Sequence, residues 1–447
     1  MRMAETTESF EISAEQARAL GAQLAQAFNP RRAEPGVLAA PEPVEWELAN
    51  GGTAWVWRAP DNETLTKPVI IADGFSGGAS KLEEWAGLWA EADIADIHPW
   101  GTQLHQQGRD VIVLGYDSRS APIAENAEVA IECIQKANEE RSGDTPLVVG
   151  GLSMGGLVTR YALAKMEKDE QDNGGPDHET GVYFSYDSPH RGAWIPISLQ
   201  VFAHFLKALG DQIGEPDLGD LSKLINSPAA RELLWKHTAT HTGLGNAGKP
   251  FPADQARTDF LAALEALGSF PTKPQKLLGV ANGRGDGKGL VGESGDPLEP
   301  GVKNLDWPIT PGTTNPFKPA SPGATLYTQA AGENQVVAEL HRAANFGTIT
   351  VKTSGIPALD GAPGGTLDSF KLAADALQAN GFDATVLYPD VCFVPVASAV
   401  DLADPSDPFA PIGPDGASGL HAFKVASQNE GHTLLTQELC DWLTERF

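Results

Sequence analysis

Short, unbroken apolar runs alternate along this chain with longer segments of helical spacing. Residues 46–48 and 53–57 alternate apolar and polar positions around Asn50-Gly51-Gly52, a turn sequence that predicts a β-hairpin. Apolar runs at 68–72, 111–114 and 146–149 follow. Lacking alternation, they suit strands buried on both faces of a parallel sheet. A helical pattern near 123–137 separates the second run from the third. After the third, Leu157, Tyr161 and Ala164 recur at i, i+4 and i+7, with Val158 and Ala162 on the same side, which predicts a helix.

Residues 181–187 read as a further strand, ending in Asp187. Helical, partly amphipathic segments come next, at 197–209, 221–235 and 254–267, before 276–280 resumes the strands. Residues 283–323 are rich in Gly and Pro with little periodicity and are expected to be irregular. Runs at 324–329, 335–341 and 347–353 predict a small antiparallel meander, and 367–378 a helix. Residues 393–397 fit either a strand or a buried loop. The end of the chain offers a strand at 422–426, a loop at 428–431, then His432 and an amphipathic helix through Leu435, Leu439 and Trp442.

The expected fold class is therefore α/β, a mostly parallel central sheet flanked by helices, with a helical insertion and a small antiparallel β insertion. The expected boundaries are an N-terminal helical segment at 1–40 and a core at 41–195, 270–290 and 365–447. The helical insertion spans 196–269, and an irregular segment with the meander spans 291–364.

Chemistry enters where the third apolar run meets its helix. Gly151-Leu152-Ser153-Met154-Gly155 is a G-x-S-x-G sequence set between strand and helix, the context of a nucleophile elbow. Gly74-Phe75-Ser76-Gly77-Gly78 repeats the pattern after an earlier run, and chain order separates the two. In an α/β-hydrolase an early strand leads into a Gly-containing loop that donates a backbone N–H to an oxyanion, and the nucleophile strand comes two strands later. Ser153 is thus the candidate nucleophile. The N–H groups of Met154 and of Phe75, or of Ser76 beside it, are the candidate oxyanion donors. The Ser76 hydroxyl reads as a turn hydrogen-bonding group.

An activated serine needs a base, and the base an orienting acid. His432 lies in a loop between a late strand and the last helix, where this fold carries its base. His421 opens that strand and reads as structural, and His190, one strand after the serine, as support for a turn. The acid stays open. Asp187 ends a strongly strand-forming run, which would hold a carboxylate rigidly. Asp286 follows the next strand in the glycine-rich 283–289 segment, and Asp390 and Asp401 flank Val394-Pro395-Val396-Ala397-Ser398.

Composition narrows the partners. The chain has 447 residues, 41% apolar and 20% charged, ordinary for a globular protein. Against 32 basic residues stand 59 acidic ones, a net charge of −27 spread along the chain. That excess disfavours nucleic acid and anionic membranes as partners. Cys133, Cys392 and Cys440 are too few and too far apart for a disulfide framework or a metal knuckle. No apolar run reaches membrane-spanning length. Residues 1–28 show an Ala-rich helical pattern without signal-peptide features, so a cytoplasmic location is expected if that terminus is native and a secreted one if a signal was removed.

The elbow together with Asp187-Ser188-Pro189-His190-Arg191-Gly192 resembles bacterial lipases and esterases of the α/β-hydrolase superfamily, in which a Thr/Ser-Pro-His-x-Gly turn follows the G-x-S-x-G one strand later. Residues 394–398 are similar to the V-P-x-x-S segment some of those lipases carry near their acid. An Asp immediately precedes that segment in them, whereas Val391-Cys392-Phe393 stand here, which turns attention from Asp390 to Asp187. The resemblance covers residues 69–196 and the C-terminal end of the chain. It implies ester hydrolysis through an acyl-enzyme, with Ser153 attacking, His432 taking its proton and an Asp holding the imidazole, and with no metal or organic cofactor. It also implies a lid-like role for the helical insertion; Trp194 just before it and Phe202, Phe205 and Trp235 within it suit an apolar acyl chain on a lipid, polyester or small alcohol. A thioesterase, amidase or peptidase would use the same groups. A non-catalytic binding protein on the same scaffold is the rival from another class, and oligomeric state is left open.

Overall fold

The computed structural model of the chain describes residues 14–26, 41–89, 97–242, 251, 253–309, 322–341, 347–402, 407–413 and 417–447. In chain order the first strands are β1 (Val44–Leu48), β2 (Gly52–Trp57), β3 (Pro68–Ala72), β4 (Asp110–Tyr116), β5 (Leu147–Leu152), β6 (Thr180–Tyr186) and β7 (Lys276–Arg284). Then come β8 (Lys303–Trp307), β9 (Gly323–Tyr327), β10 (Gln335–His341), β11 (Thr348–Thr353), β12 (Gly364–Leu367), β13 (Thr385–Val386), β14 (Val391–Pro395) and β15 (Ala422–Ala426). The helices are α1 (Ala14–Gln26), α2 (Trp100–Gln106), α3 (Ile123–Glu140), α4 (Met154–Asn173), α5 (Ile197–Ile213), α6 (Asp220–Ile225), α7 (Pro228–Leu233), α8 (Gln255–Ala266), α9 (Ser369–Ala379), α10 (Val396–Ala399) and α11 (Gln437–Thr444).

The main sheet has the order β1-β2-β4-β3-β5-β6-β7-β15. The β1–β2 hairpin joins β4 antiparallel, and every pairing from β4 to β15 is parallel. Period-two alternation divides the strand side chains between two layers. Ile70, Ile112, Leu114, Val149 and Tyr183 pack with α3 and α4. Val69, Ile71, Val111, Val113, Val148 and Phe184 pack with α2 and α11. Both faces are covered, so β3, β4 and β5 are buried along their whole length. This is why their sequences read as unbroken apolar runs.

The segment between β6 and β7 is helical, but residues 221–235 are not one helix. They form α6 and α7, because Ser227 caps a new helix by accepting from the Ala230 N–H and Pro228 stands in its first turn. Nor are residues 283–323 wholly irregular, since β8 lies within them. It joins a second, antiparallel sheet of order β11-β10-β9-β8-β13. The turn-forming Gly and Pro residues around β8 mask a five-residue strand. That sheet, α5, α9 and α1 share one large apolar cluster, so the helices after β6 and the second sheet pack together. Leu367, expected to open a helix, instead ends strand β12, which pairs with β14; the helix begins at Ser369. Residues 393–397 end β14 and begin α10. Of the expected N-terminal segment, residues 1–13 and 27–40 lie outside the described residues. Among the described residues, no helix is long and apolar enough to cross a membrane.

Candidate active site

Ser153 sits between the end of β5 and the start of α4 with φ 54° and ψ −124°. Positive φ is uncommon for a non-glycine residue and costs energy that the surroundings must supply. They do so by tight packing. A side chain on Gly151 would run into the backbone of Gly155, and one on Gly155 into the Ala72 and Asp73 carbonyls. The Ser153 N–H donates to the Tyr186 carbonyl at 2.9 Å, fixing the turn to β6. Although Ser153 holds the N-cap position of α4, its side chain makes no capping hydrogen bond. The hydroxyl is directed elsewhere, near the positive end of a 20-residue helix.

It points to His432. Ser153 Oγ lies 2.7 Å from His432 Nε2, and His432 Nδ1 lies 2.6 Å from Asp187 Oδ2. A carboxylate can only accept, so Nδ1 carries the proton and Nε2 is left to accept from the serine. The His432 and Asp187 side chains are fully buried. A buried carboxylate must be compensated, and Asp187 Oδ1 accepts the Asn282 backbone N–H at 3.0 Å. Asp187 follows β6 in a positive-φ conformation (47°), with its own N–H bonded to the Val280 carbonyl.

The other sequence candidates lie elsewhere. Asp286 is exposed and paired with Arg284, which holds its carboxyl well below the usual carboxylate range. It is not brought to His432, its carboxylate being held by Arg284 and the Lys288 N–H. Asp401 is buried against Arg191 (2.8 Å) and Arg160 (3.6 Å). Asp390 is exposed at the surface, its pKa raised by desolvation and then by Asp368. His190 Nδ1 accepts from Arg160 at 3.0 Å, so its Nε2–H donates to Ser185 Oγ at 3.0 Å. Burial, then the two neighbouring arginines, pushes its pKa well below the usual histidine value. His421 Nδ1 accepts from the Leu277 N–H.

Several residues that sequence inspection did not single out hold the histidine loop. The His432 N–H donates to the Thr366 carbonyl, the Thr366 N–H to the Glu430 carbonyl, and the Glu430 N–H to the Asn282 carbonyl. Asn282 Nδ2 donates to Glu430 Oε2 and to the Leu434 carbonyl. The Tyr186 hydroxyl donates to the Leu434 carbonyl and accepts from the Thr436 N–H. The Phe393 ring stands edge-on to the imidazole with centroids 4.8 Å apart. No local pattern marks these positions, since each works through a partner distant in sequence.

On the side of the candidate oxyanion donors, the β3 loop comes against the serine at Gly74. A Cβ built on Gly74 would be 3.2 Å from Ser153 Cβ and 3.8 Å from its Oγ. Phe75 and Phe393 then border an apolar cavity of about 300 Å³, mouth included, walled by Ile195, Leu224, Leu233 and Leu234 among others. Ser153 itself is 3% exposed. All three cysteines are free and buried; burial pushes the Cys133 thiol up to about 12 and raises Cys392 well above its ordinary value. Among the described residues no group of three His, Cys, Asp or Glu side chains is arranged to hold a metal ion.

No protein-family model matches the chain, and no curated protein matches it in sequence. Parts of it are similar to solved structures. The mature Bacillus licheniformis lipase BlEst2 is 12% identical, with 52% of this chain and 72% of that one covered and a TM-score of 0.31. Esterase B from Lactobacillus rhamnosis is 15% identical, with 47% and 72% covered and a TM-score of 0.29. Est1E from Butyrivibrio proteoclasticus is 15% identical, with 36% and 56% covered and a TM-score of 0.25, so the chain spans little more than half of that protein. These likenesses are partial, and the assignment of fold rests on the molecule's own topology. With a parallel sheet of order β4-β3-β5-β6-β7-β15 flanked by the antiparallel β1–β2 hairpin, a strand–serine–helix turn after β5 and a histidine loop after the last strand, the chain has the α/β-hydrolase fold.

Proposed function

We propose that the protein is a serine hydrolase acting on carboxylic esters with an apolar acyl group. One observation carries the reading: the unbroken chain of hydrogen bonds from Ser153 Oγ through His432 to Asp187, at 2.7 and 2.6 Å. Such a chain lets the imidazole take the serine proton as the hydroxyl attacks a carbonyl carbon, while the buried carboxylate stabilises the imidazolium that forms. The tetrahedral oxyanion is stabilised by the Met154 N–H at the start of α4 and the Phe75 N–H on the β3 loop. Each such donor is worth about 3 kcal/mol. Collapse of that intermediate expels the alcohol, which takes the proton from His432 Nε2. Water, deprotonated by the same imidazole, then releases the acid.

The cavity beside Phe75 and Phe393 supports an apolar acyl group, because its lining offers no polar side chain. Leu224 of α6 and Leu233 of α7 form part of that lining, in keeping with a covering role for the helical insertion at 196–269. Similarity to a lipase and two esterases agrees with this choice of substrate without adding weight to it. The test is a series of p-nitrophenyl esters of increasing acyl length, given to the wild type and to Ser153→Ala. Saturable hydrolysis by the wild type, lost in the variant, supports the reading. Equal turnover by both sinks it.

A further inference from the structure

The β3 loop carries a buried ion pair that the acyl-transfer chemistry does not use. Asp73 is 1% exposed and Arg119 is 3% exposed, and they approach to 3.6 Å. Asp73 Oδ1 accepts the Gly74 N–H at 2.6 Å, and Oδ2 accepts the Ser80 hydroxyl at 2.7 Å. Ser80 is tied in turn to β4, its Oγ accepting the Tyr116 N–H and its own N–H donating to the Tyr116 carbonyl. Arg119 spans the same loop from the other side. It grips Glu84 with both terminal nitrogens at 2.7 and 3.3 Å, and its backbone N–H donates to the Gly78 carbonyl at 3.0 Å.

We propose that Asp73 and Arg119 are positioning residues that preset the oxyanion-binding conformation of the β3 loop. The inference rests on the reading of Ser153 as nucleophile. Gly74 lies against Ser153, and of the two successive N–H groups at Gly74 and Phe75, that of Gly74 is taken up by the Asp73 carboxylate. The Phe75 N–H has no acceptor among the described residues. Holding the 73–74 peptide removes freedom at Gly74, the residue type with most of it, and so fixes the direction of the next N–H. Preorganisation of that kind is what makes an oxyanion donor effective. Arg119 has a second effect. A bare Asp73 carboxylate two residues before the Phe75 N–H would oppose a developing negative charge there, and the guanidinium offsets it.

The two roles make separable demands on variants of the full chain. Arg119→Met is expected to lower kcat by about 100-fold, the range seen when an oxyanion donor is lost, with KM within about threefold. Arg119→Lys, which keeps the charge, is expected to retain kcat within about tenfold of wild type. Asp73→Asn should lose about tenfold in kcat, and the double variant Asp73→Asn, Arg119→Met should recover part of the loss of Arg119→Met alone, because no uncompensated charge remains. Binding of an alkylboronic acid, which forms a tetrahedral adduct on the serine, should weaken in parallel with kcat. A merely structural pair would not produce that parallel. Wild-type kcat and boronate affinity in both Asp73→Asn and Arg119→Met overturn the inference. If Arg119→Met does not fold, Asp73→Asn and Arg119→Lys decide it by the same readings. A wild-type protein that neither hydrolyses esters nor takes a fluorophosphonate label at Ser153 overturns the hydrolase reading, and this inference with it.

Discussion

Asp187 Oδ2, the atom that faces His432, occupies the space in which a side chain on Gly365 would begin. Strand β12 thus closes the acid into place, and only glycine fits there. Gly365→Ala is expected to displace the carboxylate and cut kcat by about 10³-fold or more, approaching the loss caused by removing the acid function. Steady-state kinetics beside a thermal unfolding curve check this. Full activity in a folded Gly365→Ala protein would show that the contact is unimportant.

The choice of acid can be tested directly. Asp187→Asn preserves shape but favours the wrong imidazole tautomer, so kcat should fall about 10⁴-fold. Asp286→Asn should leave turnover within twofold of wild type, because that side chain is on the surface with Arg284. A large loss in the second variant and none in the first would reverse the assignment.

Nucleophile and base are testable by labelling. A fluorophosphonate probe should modify the wild type, fail on Ser153→Ala, and react far more slowly with His432→Ala, since the serine then lacks a proton acceptor. Peptide mapping of the adduct to any residue other than Ser153 would refute the assignment.

Cavity size should set acyl preference. Leu224→Phe fills part of the space between α6 and Phe75, and should lower kcat/KM for an octanoyl ester relative to a butanoyl ester by at least about tenfold, in the range for methylene discrimination. Leu233→Ala should move the preference toward longer chains. Unchanged chain-length profiles in both variants would place the acyl group elsewhere.

Glu430 gives a pH dependence of stability. Burial pushes its carboxyl up to about 7, a tendency that the Asn282 hydrogen bond opposes. A folded-state value above the unfolded one means stability is fully present below about pH 4.5 and is lost as pH rises through about 7. Melting temperatures measured from pH 5 to pH 8.5 should therefore fall more for the wild type than for Glu430→Gln, with the variant gaining on the wild type at the alkaline end. Parallel curves would count against it.

Much of the sheet was legible because burial on both faces forces unbroken apolar strands, and β3, β4 and β5 are read directly from such runs. The strand–turn–helix around Ser153 was legible because a strand, two small residues and a helix must meet at one turn. The place of the His432 loop, between the last strand and the last helix, was legible from chain order alone. Strand β8 was hidden among turn-forming residues, and the break between α6 and α7 was hidden by apolar spacing that continues across Ser227-Pro228. Sequence could rank Asp187 and Asp286 as acids but offered no means of deciding between their positions.

What the sequence determined by itself is therefore local: most of the strands and helices, and the turn that sets Ser153 between β5 and α4. Tertiary structure decided which carboxylate meets the histidine, that β12 and Asn282 enclose it, and that Asp73 and Arg119 flank the β3 loop. The physical reason is one of range. Burial periodicity and turn geometry act over a few residues and leave a trace in composition, whereas a hydrogen bond between His432 and Asp187 depends on the folding of everything between them.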